Sequence, residues 1–157
     1  MPNPRAPMSN PRAGGNSAIQ LPPQPRTVSY YDDKGQIRLD LLDGEAQKLA
    51  EDLARTELKS TQLRRYYHEV VNLQRRLDQL AAGSSREQAF ECLRADFKLL
   101  KAKAHYANRR SKNMFPDRLL QFFVDHTHAV KTVQDFDAFC RHFEAVVGFF
   151  QYMKRED

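Results

Sequence analysis

From about Tyr30 onward, apolar residues recur at intervals of three and four, the spacing that gathers them on one side of an α-helix. No stretch alternates apolar and polar residues for long enough to predict a strand. Start and stop signals divide the pattern into five helices. Asp43 is placed to cap the first, which carries Leu49, Leu53 and Leu58. Ser60 or Thr61 opens the second, which continues to Ala81 and stops at Gly83. Ser85 and Gln88 have the spacing of a capping box for a long third helix that reaches about Ser111. Pro116 cannot continue a helix but suits a first turn, so it starts the fourth, whose apolar members include Leu119, Leu120, Phe122, Phe123 and Val130. Thr132 and Asp135 cap the fifth, where Phe136, Phe139, Cys140, Phe143, Val146, Val147 and Phe150 form a wide apolar stripe. Short connections imply antiparallel neighbours. The expected fold is all-α, a compact antiparallel helical bundle of about five helices.

Residues 1–29 have a different composition. Seven of the eight prolines fall in the first 25 residues, with Gly14, Gly15 and three asparagines, and large apolar side chains are few. Burial there is too small to offset the entropy of ordering, which predicts a disordered tail over 1–29 and a helical domain over 30–157. The stretch from Tyr30 to Gly35, Tyr-Tyr-Asp-Asp-Lys-Gly, reads as an aromatic anchor followed by a turn. No apolar run approaches the roughly eighteen residues of a membrane span, and the N-terminus lacks the apolar segment of a secretory signal. Cys92 and Cys140 show no Cys-x-x-Cys spacing and are expected to be small buried or semi-buried apolar residues. A reduced, cytoplasmic setting without membrane contact is the expectation.

Charge changes this picture through its distribution. The chain carries 25 Lys and Arg against 20 Asp and Glu, a net +5. Residues 1–29 hold three arginines and no acid, residues 30–59 hold eight acids against five bases, and residues 60–112 hold twelve bases against five acids. The basic excess therefore sits in the second and third helices, an asymmetry that suits a polyanionic partner. Stepping 100° per residue along the second helix brings Thr61, Arg64, Arg65, His68, Asn72, Arg75, Arg76 and Gln79 within roughly 60° of one direction. That face has four arginines and no acid, and Glu69 and Asp78 lie at the edges of the apolar side, which points to an external source of negative charge. Along the third helix Arg94, Lys98, Lys101, His105, Arg109 and Lys112 form a second stripe beside a core face of Ala89, Phe90, Leu93, Phe97, Leu100 and Ala104. Lys103 and Arg110 point elsewhere. Guanidinium forks and ammonium groups three or four residues apart suit successive phosphates, and such contacts hold a nucleic acid without reading its bases. His68 and His105, inside the stripes, are placed to hydrogen-bond a phosphate or a 2′-hydroxyl. The competing reading is a solvated flank on each helix.

Catalytic patterns are missing. There is no Gly-rich phosphate loop, no Gly-x-Ser-x-Gly and no His-Glu-x-x-His. His126 and His128 diverge on a helix and cannot chelate one ion together, although a site built from His126, Cys140 and His142 across two helices is conceivable. No catalytic residue, metal or cofactor is expected.

Two segments carry a family resemblance. Lys59-Ser-Thr-Gln-Leu-Arg-Arg-Tyr-Tyr67 resembles the signature with which the small subunit of type III-A CRISPR effector (Csm-type) complexes opens its first long helix. Leu100-Lys-Ala-Lys-Ala-His-Tyr-Ala-Asn-Arg109 resembles that family's stretch near the end of the next helix. Asn108 stands where the family commonly has glycine, and asparagine tolerates the left-handed backbone that glycine would serve there. The likeness covers roughly residues 37–153. It implies an all-helical, non-catalytic subunit, present in several copies, that lines the channel where guide RNA pairs with target RNA, in antiviral defence. By that likeness Arg64, Arg65, Lys101, Tyr106 and Arg109 inherit an expectation of RNA contact or groove-shaping. Arg75, Arg76, Lys98 and Lys103 rest on the charge argument alone. The expected partners are guide and target RNA, the other subunits of the complex and further copies of the chain. A helical adaptor that docks an acidic protein surface is the alternative, with the aromatic last helix at the centre of its interface.

Overall fold

The computed structural model describes residues 2–4 and 18–154, so the expectation for the tail falls partly outside the described residues. A 3₁₀ turn at Leu39–Leu42 leads into five α-helices: α1 Gly44–Ala54, α2 Ser60–Ala81, α3 Arg86–Arg110, α4 Asp117–Ala129 and α5 Val133–Met153. Among the described residues the only strand-like pairing is a single antiparallel bridge between Tyr31 and Ile37. It closes a tight turn in which Asp32 Oδ1 accepts from the backbone amides of Lys34 and Gln36, and Gly35 takes the left-handed φ of +75° that the turn needs. No described helix is long and apolar enough to cross a membrane.

Helix α5 organises the core. It packs against α1, α2 and α3, while α3 also packs against α2 and α4. Its Phe139 and Phe143 are fully buried and meet Phe122 and Phe123 of α4, Phe97 of α3 and Tyr67 of α2 at ring-centroid separations of 5.3–5.9 Å. A core this rich in phenylalanine is held by area and by edge-to-face geometry together. Tyr66 lies across Phe115 at 4.9 Å, which closes the end of the α2–α3 pair.

The expected caps are met unequally. Thr132 Oγ1 accepts from the Asp135 amide while the Asp135 carboxylate accepts from the Thr132 amide, a complete capping box on α5. Ser85 Oγ accepts from the Gln88 amide at 3.1 Å, the serine half of the expected box. The expectation for Ser60 or Thr61 is corrected, because Lys59 occupies the N-cap and Ser60 is already helical and buried, its hydroxyl without a partner. Leu58, buried completely, draws the chain inward just before this point. Leu58 itself is not part of α1, which stops at Ala54. Thr56 Oγ1 donates to the Leu53 carbonyl and accepts from the Leu58 amide, so a local side-chain turn replaces the next helical turn.

Asn108 also departs from expectation. No described non-glycine residue has positive φ, and Asn108 is helical and buried, donating from Nδ2 to the Phe115 carbonyl and to Asp117 Oδ1, both at 2.9 Å. It fastens the α3–α4 corner. Cys140 is buried as expected, and burial raises its thiol pKa well above the usual range. Cys92 is exposed, because its position on α3 faces away from the core.

Candidate nucleic-acid interface

The two basic stripes lie on different sides of the molecule. The side of α3 that meets α2 carries Asp96, Leu99, Lys103, Tyr106 and Arg110. By helical phase these lie roughly 135° around the helix from the stripe of Lys98, Lys101, His105 and Arg109. The α3 stripe is turned instead toward α4 and the segment before Tyr30. Lys98 Nζ donates to the Thr127 carbonyl in the last turn of α4, a favourable place for a cation. Partial burial and the nearby charges of Arg94, Lys101 and Lys131 lower the Lys98 pKa. His105 folds back onto its own helix, its Nδ1 2.7 Å from the Lys101 carbonyl and its Nε2 buried without a partner. Arg109 donates to Gln20 Oε1 at 3.1 Å.

That last contact belongs to a strap. Residues 20–26 run over α3 and α4 in irregular backbone, with the Gln24 carbonyl accepting from Gln121 Nε2 and the Arg26 amide donating to Asp125 Oδ1 at 2.7 Å. The half-buried Val28 and the buried Tyr30 continue the segment into the core. Composition alone hides these contacts, since each uses a backbone group or a glutamine.

The α2 stripe stays on the surface but divides. Arg64, Arg65, His68 and Arg75 are exposed, with Arg64 donating to Gln151 Oε1 on α5 and Arg75 only 3.5 Å from Asn72 Oδ1. Arg76 leans into the α2–α3 groove, where Asp96 pairs with it at 2.9 Å. Glu69 faces the same groove and holds Lys103 at 2.9 Å. The idea that all the stripe's negative charge comes from outside therefore fails for Arg76, whose acid sits on the neighbouring helix, beyond the reach of a single-helix count. On α3, Arg94 likewise pairs with Glu91 at 3.2 Å.

Lys103 and Arg110, which helical phase alone sets apart from the stripes, meet Arg65 in the groove. With Tyr106, Met114 and Ala102 they line a cavity of about 770 Å³ between α2 and α3. Neither Arg65 nor Arg110 makes an ion pair among the described residues, and Tyr106 is 69% exposed.

His126 and His142 are structural. The His126 and His142 rings stand 5.2 Å apart in the core, His126 Nδ1 with the Tyr30 hydroxyl at 2.7 Å and His142 Nδ1 with the Leu41 carbonyl. Burial, reinforced by the other ring, holds His126 well below its usual pKa, and burial likewise lowers His142. No group of three or more His, Cys, Asp or Glu residues suited to a metal ion occurs among the described residues.

No curated protein and no solved structure matches the chain. The family model Csm2 Type III-A matches residues 36–156, which takes in all five helices and both motif segments. This chain belongs to the type III-A Csm2 family, and it is a subunit of a type III-A CRISPR effector complex.

Proposed function

We propose that the chain is a non-catalytic, RNA-binding structural subunit that lines the channel holding guide and target RNA in antiviral defence, in contact with other subunits and further copies of itself. The observation that carries this reading is the outer face of α2, where Arg64, Arg65, His68 and Arg75 are all exposed within four helical turns, whereas Arg76 is drawn aside into the groove by Asp96. Their spacing suits phosphates along one strand, with affinity independent of base sequence. The α3 flank is secondary: Lys98 is committed to the end of α4, while Arg109 meets the strap and, with Lys101 on the same stripe, suits a contact with a different strand or subunit.

Charge reversal at Arg64 and Arg75 together tests the assignment within the assembled complex. Affinity for target RNA falls, and the slope of log affinity against log salt becomes shallower by about 0.7 for each single-strand phosphate that the variant no longer engages. The circular-dichroism spectrum stays unchanged, since both side chains are outside the core. Unaltered affinity and slope would overturn the assignment. If an acidic protein were the partner, unrelated RNA would fail to displace it.

A further inference from the structure

The α2–α3 groove differs from the outer face of α2 in a way that concerns the kind of contact it makes. A phosphate-tracking surface needs cations and no aromatic ring, yet here Tyr106 is 69% exposed between two helices, beside Arg65 and Arg110. Met114 is 47% exposed at the same site, and the lining Ala102 and Ala107 are too short to fill the space, so the groove is open to a flat group. Its volume of about 770 Å³ lies within the range of small-molecule sites. Lys103 is already paired with Glu69, which leaves Arg65 and Arg110 as the groove's uncompensated charges.

We infer that this groove binds one unpaired nucleotide of an RNA strand, its base stacked on Tyr106 and its flanking phosphates held by Arg65 and Arg110. Two guanidiniums without carboxylate partners among the described residues select an anion, and the ring selects a flat π-face. A nucleotide presents both, whereas an acidic peptide presents only the charge. A base inside a duplex has both faces covered by its neighbours, so the strand is unpaired at this point. Stacking on an aromatic ring is tolerant of base identity, which keeps the contact sequence-independent. The inference rests on the RNA-binding reading above and adds a base contact to it.

The test uses the full-length chain and a short single-stranded RNA carrying 4-thiouridine, alongside the same RNA with abasic spacers. Ultraviolet cross-linking and peptide mapping are expected to place the adduct on Tyr106. Tyr106→Ala weakens binding of the base-containing RNA on the order of tenfold, Tyr106→Phe keeps it, and neither change alters binding of the abasic RNA. Arg65→Ala with Arg110→Ala weakens both RNAs. Because Tyr106 lies outside the core, its variants fold, and circular dichroism verifies this. An adduct elsewhere, or equal wild-type affinity for the two RNAs, would overturn the groove site. In that event, weaker binding on reversing Arg64 and Arg75 would still uphold the phosphate reading. Failure of both RNAs to bind overturns the groove site, while the phosphate reading still answers to charge reversal at Arg64 and Arg75 in the assembled complex.

Discussion

Arg75 and Arg76 are adjacent on α2 and identical in chemistry, yet they meet different partners inside the molecule. Arg76 reaches Asp96 at 2.9 Å across the groove, and among the described residues Arg75 has only the Asn72 amide oxygen at 3.5 Å. Both ends of the Arg76 pair are about half exposed, so its worth is about 0–1 kcal/mol. Arg76→Ala therefore lowers the urea midpoint slightly and leaves RNA affinity of the complex nearly unchanged. Arg75→Ala has the opposite pattern, with stability kept and RNA affinity reduced. Urea titration and filter binding on the same two variants measure both, and equal reductions in RNA affinity would show that pairing with Asp96 does not withhold Arg76 from RNA. The spacing of the α2 face is legible in the sequence, whereas the fate of each arginine depends on which carboxylate the next helix brings near.

At the scale of elements, the capping signals differ in what they deliver. The α5 box is complete, and the Asp135 carboxylate accepts from the amides of both Lys131 and Thr132. Thr132→Ala removes the acceptor for the Asp135 amide at the entry to the helix that carries four of the buried phenylalanines, more than any other helix. Its expected cost is about 1 kcal/mol in a urea titration. A change within error would mean that packing alone sets this helix start. Ser85 and Ser60 show why such signals are uneven in reliability. Ser85 stands in an exposed turn and turns its hydroxyl to the Gln88 amide, while Ser60 is drawn inward behind the buried Leu58 and cannot cap. Burial decided between them, and burial is a property of the assembled bundle.

For the whole molecule, the histidine pair ties distant parts of the chain together. His126 holds Tyr30 across 96 residues and His142 holds the 3₁₀ turn across 101. Both are buried with pKa values below the ordinary 6.5, so the folded state binds fewer protons than the unfolded chain once pH falls below about 6.5. Their contribution is fully present above that pH and is lost as pH falls from it toward the folded-state values. For each group the slope approaches about 1.4 kcal/mol per pH unit. The urea midpoint is expected to fall between pH 7.5 and 5.5, and to fall less steeply in His126→Asn. An equal slope in that variant would show that other groups control the acid response.

The five-helix pattern, the extent of α2 and the capping box of α5 follow from the sequence alone, because helix period, proline and capping chemistry act within a few residues. The motif segments likewise carried the resemblance that the match over residues 36–156 upholds. The tertiary structure decided the rest. It set the α3 stripe on a different side from the α2 face, brought Asp96 to Arg76 and Glu69 to Lys103, and gathered Arg65, Tyr106 and Arg110 around one groove. Helical phase states which residues share a face of one helix. The rotation of one helix against another is set by how the phenylalanines of α3, α4 and α5 interlock, and that packing determines which cations are neutralised and which remain exposed for a partner.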